Sequence, residues 1–384
     1  IRDSIYIFME YIERNIESDI KEKLFKGKVI IVYGPRQCGK TTMIAHICKS
    51  YGDDVLWLNA DVINVRDTLS DMSAQKWLSV IGNKKIVVID EAQRIPNIGL
   101  SMKIFVDEIK DRQLIASGSS SFDLANKTEE PLTGRKYEYT LLPLSFAELT
   151  GKFGLIEEKG AREQRLLFGS YPDVVNNPQD TQRILGELAS SYLYRDVLAM
   201  EGIKRPALLD KIVRALALQI GSEVKIQEIS NLTNCDAKTV EKYINLLEKS
   251  FVVFSLPAFS RNLRNEIKKG RKVYFYDIGI RNAILGNFVP LNSRTDSGAM
   301  WENYLVAERL KQLINAPFPP RRFFWRTTDQ REVDYIEETP QTLSAWEFKS
   351  NPKLTTKLPA AFLKAYPTAQ SACITPKNYE EFVG

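Results

Sequence analysis

The chain has 384 residues, 44% of them hydrophobic and 26% charged, with a formal net charge of +5. That length predicts two to four domains of ~100–200 residues each, and the balance suits an ordinary globular protein and excludes a disordered tail or a fibre. No apolar run reaches the ~18 residues of a membrane span, and the scattered cysteines at 38, 48, 235 and 373 make no disulfide scaffold. A cytoplasmic location is therefore expected, and residues 1–8 lack the order of a signal peptide. The single histidine, His46, reads as a helix-surface residue, so a His-built zinc site or triad is not expected. Any metal should be a hard cation on carboxylates, such as Mg²⁺. From 204 to 281 fifteen Lys/Arg face eight Asp/Glu, or +7, whereas residues 1–150 carry twenty against twenty-one, or −1. That excess suggests an anionic partner for the middle of the chain, nucleic acid first, or else a solvated face.

Residues 28–33, KVIIVY, are a short β-branched apolar run and predict a buried strand. The run leads into Gly34, Pro35, Arg36, Gln37, Cys38, Gly39, Lys40, Thr41 and Thr42, where a helix-like stretch begins. G-x-x-x-x-G-K-[ST] between strand and helix is the context of a phosphate loop. The glycines let N–H groups turn around phosphate oxygens, and the helix aims its positive end at the same anion. Lys40 is expected on the β- and γ-phosphates of ATP and the Thr41 hydroxyl on Mg²⁺. A second strand, 86–89, runs into Asp90 and Glu91. Two acids at a buried strand end have no packing role; Asp90 is expected to hold Mg²⁺ through water and Glu91 to polarise the attacking water. A third strand, 113–117, ends in serines, and Ser119 is a candidate to orient that water, with a plain polar loop as the alternative. Arg135 follows a glycine and is a candidate arginine finger, in cis or across a homo-oligomer, or else an ion-pair residue; Arg36 is a weaker candidate.

Four motifs in order, GPRQCGKTT, VVIDEAQRIP, LIASGSSSF and LTGRKYEYTLLPLSFAEL, resemble the AAA-type ATPases of bacteria and archaea that carry a C-terminal domain of unknown function. The likeness runs from about Tyr11 to near the end. It implies a three-layer α/β P-loop ATPase domain, residues 1–150, with Lys40, Thr41, Asp90 and Glu91 in the roles above. Residues 142–146, LPLSF, match a signature of that family for which the sequence offers only packing as a reason. Cys38 departs from the small aliphatic residue more usual there, and its place at a helix start predicts that alkylation blocks nucleotide binding.

Residues 151–202 read as a helical lid or connector broken at 169–172, with Arg195 either reaching a phosphate or pairing on a helix surface. Residues 203–290 read as a winged helix. Helices are expected at 208–220, 226–232 and 237–250, with Asp236 capping the last. That helix buries Val240, Ile244 and Leu247 and should expose Lys238, Thr239, Lys242, Tyr243 and Asn245. Strands at 251–256 and 272–276 flank a basic wing over 261–272. Short helix, turn and polar-faced helix is the helix-turn-helix plan, and such a wing would meet DNA phosphates; contact with a protein partner is the rival reading.

Residues 291–384 predict a helix near Gly298, strands at 321–326, 332–336 and 343–349, a helix at 355–365 and a strand at 371–375. Asp334 followed by Glu347-x-Lys349 puts two carboxylates and an amine around one point, since Glu347 and Lys349 share a face. The order resembles the PD-(D/E)xK nuclease superfamily, a restriction-endonuclease-like fold. Glu302, Asp334 and Glu347 are the expected Mg²⁺ ligands, and Lys349 the expected partner of the attacking water, in a domain that cuts nucleic acid or only binds it. The function expected is an ATP-driven switch or motor on DNA; a nucleotide-dependent regulator that binds protein partners is the alternative.

Overall fold

The VIIVY run is apolar without alternation, and as β1 (Val29–Tyr33) it is buried at every position. A strand buried on both faces belongs in a parallel sheet with helices on each side. Its partners are β2 (Val55–Asn59), β3 (Ile86–Asp90), β4 (Gln113–Gly118) and β5 (Lys136–Thr140), in the order β2-β3-β4-β1-β5, every pair parallel. The edge strand β2 is only half-buried. Helix α1 (Glu17–Lys23) precedes β1, and α2 (Lys40–Cys48) follows it. Met43, Ile44 and Ile47 of α2 pack on Ile30, Val32, Ile86, Val88 and Ile115, each fully buried aliphatic contributing about 1.5–3 kcal/mol. Further helices are α3 (Ile63–Leu69), α4 (Ala74–Ile81) and α5 (Ile98–Glu108). Trp77 of α4 is fully buried, with its indole N–H donated to the Ser101 carbonyl of α5 at 2.9 Å. Because the strands are parallel, Tyr33, Asp90 and Gly118 all end on one edge, where ligands of open α/β sheets bind.

This computed structural model describes residues 11–119, 132–199, 205–260, 270–327, 329–354 and 356–384. The chain forms two compact units, one of residues 1–144 with 249–251 and one of residues 145–248 with 252–384. The region read as connector, helix-turn-helix and C-terminal segment therefore packs within one unit.

The second unit opens with α6 (Phe146–Phe153), which explains the LPLSF signature in part. Ser145 is the N-cap, its hydroxyl accepting from the Glu148 N–H while the Glu148 side chain accepts from the Ser145 N–H, a reciprocal capping box. The Phe146 N–H reaches the buried Glu308 carboxylate at 2.7 Å, and its ring meets Tyr379 edge-on at 5.2 Å. Short helices α7 (Leu155–Gly160), α8 (Arg162–Phe168) and α9 (Pro172–Asn176) lead to α10 (Thr181–Ala199). The expected break falls between α8 and α9; the Arg195 side chain lies outside the described residues.

Next come α11 (Pro206–Leu218), α12 (Ile226–Thr233) and α13 (Ala237–Lys249), then an antiparallel pair, β6 (Val253–Pro257) and β7 (Arg271–Phe275). Asp236 caps α13, accepting from the Thr239 N–H at 2.9 Å. Three expectations need correction. Tyr243, expected exposed, is 4% exposed, because it follows Val240 by three residues on the apolar side of α13. Lys272, expected in the wing, is a fully buried residue of β7. Arg271, also read into the wing, is the first residue of β7 and pairs with Glu241 at 2.8 Å; the wing cations from 261 to 269 lie outside the described residues, as do Ser120 and Ser121.

After α14 (Ile278–Leu285) and the long α15 (Ser297–Leu313) comes a four-stranded sheet of β8 (Arg321–Arg326), β9 (Glu332–Glu338), β10 (Leu343–Phe348) and β11 (Gln370–Ile374). β8, β9 and β10 are antiparallel neighbours, and β11 joins β10 in parallel after α16 (Ala360–Ala365). That helix begins later than the expected 355, directly after Pro359.

Candidate functional site

The loop from Gly34 to Gly39 depends on its two glycines. A Cβ on Gly34 would lie 1.9 Å from the Leu141 carbonyl oxygen. Gly39, the N-cap of α2, has φ 95°, a left-handed value that an L side chain rarely adopts. With glycine as the N-cap no side chain caps the first-turn N–H groups, an arrangement that suits an anion at that helix start. Lys40 is buried and folds back, donating to the Gly34 carbonyl at 2.9 Å and the Pro35 carbonyl at 2.7 Å. The Thr41 hydroxyl donates to Asp90 Oδ2 at 2.9 Å, and the Ser117 hydroxyl donates to Asp90 Oδ1. Two adjacent oxygen donors of this kind fit a hard divalent cation.

Glu91 stands one residue beyond β3 with φ 54°, a strained value for a non-glycine. Its carboxylate accepts from the Gln93 amide at 2.6 Å, and Gln93 also donates to Ser119 Oγ at 3.1 Å. Ser119 is itself 3.5 Å from Glu91, and Arg36 is 3.9 Å away on the same carboxylate oxygen. Lys40, Thr41, Asp90, Glu91 and Ser119 are thus on one sheet edge. Gln93 and Arg14 were not foreseen. Arg14 is 5% exposed and ties the loop from behind, donating to the Cys38 carbonyl at 2.8 Å and the Leu142 carbonyl at 2.6 Å. The Leu142 carbonyl held by Arg14 is the other physical content of the LPLSF signature, and Leu141, whose carbonyl faces the loop, directly precedes it.

Arg135 takes the ion-pair alternative, and the Cys38 thiol is closed off. Arg135 precedes β5, and its carbonyl accepts from the Val29 N–H at the start of β1. β1 climbs about 13 Å from there to Tyr33 at ~3.3 Å per residue, so Arg135 does not reach the loop of its own chain. It pairs instead with Asp107 at 2.6 Å. Cys38 is fully buried and directs its thiol to the Leu141 carbonyl at 3.2 Å, so it offers no open sulfur for alkylation. His46 lies on α2 as expected, 2.8 Å from the buried Glu17 carboxylate.

The second unit assembles another charged cluster. By the register of β9 and β10, Glu347 falls opposite Asp334. Asp334 accepts from the Phe348 N–H at 2.7 Å, and Lys349 meets Glu347 at 3.2 Å. The carboxylates that lie within 4.8 Å of one another are Glu302, Glu332 and Asp334, so Glu332, not Glu347, joins the expected pair. Glu332 was legible in principle, two residues from Asp334 on the same strand face. Burial, joined by the neighbouring Asp334 charge and opposed by Lys272, pushes the Glu302 carboxyl up to about 7. Burial and then the Asp334 charge, opposed by Lys349, push Glu347 up to about 7 as well. Burial also raises Asp334. Lys272 donates to Glu302 at 2.8 Å and contacts Glu332. Burial opposes its charge, but these acids hold it above its ordinary value.

Residues 26–150 match the family model of the AAA domain, which supports an AAA-type ATPase domain there. Residues 160–290 and 297–383 match two domains of unknown function, DUF8612 and DUF4143. The chain is 26% identical over 358 residues to an uncharacterized protein of Mycobacterium tuberculosis, covering 91% of this chain and 77% of that one. It is 26% identical over 271 residues to an uncharacterized protein of Methanocaldococcus jannaschii, covering 64% of this chain and 60% of the relative. Among solved structures, the Aeropyrum pernix ORC1 protein in complex with DNA is similar at a TM-score of 0.37 and 13% identity, over 74% of this chain and 94% of that one. A score that low carries no argument about function. Among the described residues no helix is long and apolar enough to cross a membrane.

Proposed function

We propose that the chain is a Mg²⁺-dependent ATPase whose AAA domain drives the second unit, with DNA as the partner of the helix-turn-helix segment. The observation that carries the reading is the joint arrangement of Lys40, the Thr41–Asp90 pair and Glu91 on one edge of the parallel sheet. In this reading the loop N–H groups and Lys40 bind the phosphates, Lys40 exchanging two neutral carbonyls for anionic oxygens. Thr41 and Asp90 would hold Mg²⁺, which when bound offsets the charge that develops on the transferred phosphoryl group. Glu91 takes the proton of the attacking water, oriented by Gln93 and Ser119. Arg36 reaches Glu91 from within the loop and limits its movement.

DNA binding is supported by the exposed Lys238, Lys242 and Asn245 on one side of α13 and by the basic run at 261–269. A second reading, a regulator that binds protein through the same segment, is favoured by Leu218 and Leu232, 71% and 66% exposed. An ATP hydrolysis assay with and without duplex DNA separates them. Turnover stimulated by DNA, abolished in Lys40→Ala and in Glu91→Gln, is the expected result. No hydrolysis by the parent chain rejects the ATPase reading, and hydrolysis indifferent to DNA rejects the DNA partner.

A further inference from the structure

We infer that Lys272 stands in the place of a divalent cation within the acidic cluster of the second unit, which makes that cluster an internal ion-pair node and not a metal-dependent cleaving centre. Glu302 from α15 and Glu332 and Asp334 from β9 each bring one oxygen within 4.8 Å of the others, a spacing that suits ligands around one hard cation. The ammonium of Lys272 is already among them. It is 0% exposed, donates to Glu302 at 2.8 Å and contacts Glu332. Tyr274, two residues along β7 and so on the same face, donates its hydroxyl to the same Glu302 oxygen at 2.7 Å. The other Glu332 oxygen faces Arg326 at 3.5 Å. Asp334 is engaged by the Phe348 N–H and Glu347 by Lys349.

Each acid of the cluster already has a partner without any metal: Glu302 has Lys272 and Tyr274, Glu332 has Lys272 and Arg326, Asp334 has the Phe348 N–H, and Glu347 has Lys349. Mg²⁺ binds oxygen at 2.0–2.1 Å, so an ion seated among these acids would touch the Lys272 ammonium. Two like charges at contact distance in a buried place exclude one another. Lys272 has no open direction in which to withdraw, because its side chain is 0% exposed and its backbone lies in the β6–β7 ladder opposite Leu256, bridged to Glu223. The residues present therefore do not fit a divalent metal together with Lys272, and the expectation that Glu302, Asp334 and Glu347 hold Mg²⁺ is replaced by this one.

The test is Mn²⁺ binding to the nucleotide-free full chain, followed by electron paramagnetic resonance. In the parent chain we expect no bound Mn²⁺ that Glu302→Gln removes. In Lys272→Met we expect a new site, at least about tenfold tighter than any the parent shows and lost again when Glu302→Gln is added; Lys272→Arg should still exclude the ion. If Lys272→Met does not fold, the comparison of the parent with Glu302→Gln decides alone. One equivalent of Mn²⁺ on the parent chain that Glu302→Gln abolishes overturns the inference. So does a folded Lys272→Met chain that gains no site, and so does Mn²⁺-dependent DNA cutting by the parent that Glu347→Ala removes.

Discussion

Replacing Gln93 by leucine tests whether Glu91 works only when it is held as found. Gln93 is 9% exposed and gives its amide to Glu91 at 2.6 Å and to Ser119 at 3.1 Å. Leucine keeps most of the volume and removes the donor. The carboxylate then loses one hydrogen bond of the charged kind, about 1.5–3 kcal/mol. If the whole of that loss falls on the transition state, at about 1.4 kcal/mol per factor of ten, kcat drops about 10–150-fold. Phosphate binding rests on Lys40 and the loop amides, so KM for ATP should stay within about twofold. Steady-state hydrolysis with saturating Mg²⁺, beside a thermal melt of each protein, reads both quantities. A kcat equal to that of the parent would refute the positioning argument. A fall in kcat accompanied by a raised KM and a lowered Tm would refute it too, since that pattern marks general loosening of the edge.

Gly34→Ala forces a methyl to within 1.9 Å of a backbone oxygen that cannot swing aside; urea denaturation should show a loss above about 3 kcal/mol, and a loss below about 1 kcal/mol would mean the Leu141 contact is adjustable. Lys238→Ala and Lys242→Ala should each weaken DNA binding and lower the magnitude of the log–log salt slope by about 0.9 for every phosphate contact removed; an unchanged slope in both would count against α13 as the contacting helix. Glu347 bears on pH. Its folded carboxyl is pushed up to about 7, above the ~4.3 of an exposed glutamate, so the folded form takes up a proton between those values. Its contribution to stability is then full below the lower value and is lost as pH rises through about 7. Between pH 5 and pH 8 the parent should lose up to about 3 kcal/mol that Glu347→Gln does not lose; equal slopes of stability against pH for the two proteins would contradict the burial argument.

The parallel sheet and its phosphate loop were legible because their signals are local. VIIVY reports a strand buried on both faces, and the Gly34–Lys40 spacing reports the loop that follows it. The helix, hairpin and strand order of the C-terminal part was legible for the same reason, through alternation and Pro/Gly breaks. What escaped depends on which end of an element a residue occupies. Arg135 sits after a glycine like a mobile cation, yet it enters β5 at the edge opposite the loop, where Asp107 meets it. Arg14 lies 24 residues before Cys38, and nothing in its own segment marks the carbonyls it will bind. Tyr243 carries a hydroxyl, yet it lies three residues from Val240 on the helix and its ring is buried on that apolar side.

Lys272 shows the limit most clearly, and its contrast with Lys40 separates the two charged clusters. In sequence it closes a basic run, so it reads as one more wing cation; its acids arrive 30 and 60 residues later. Both lysines are buried beside carboxylate-bearing strands. Lys40 gives its hydrogens to two neutral carbonyls, while Asp90 and Glu91 are satisfied by hydroxyls, N–H groups, an amide and the more distant Arg36. Moving Lys40 onto a phosphate trades weak acceptors for strong ones and strands no carboxylate. Moving Lys272 would leave two acids facing each other without their shared cation, a loss of about 3–5 kcal/mol for a buried pair. The first lysine is placed to change partners with each ligand, and the second to keep the partners it has.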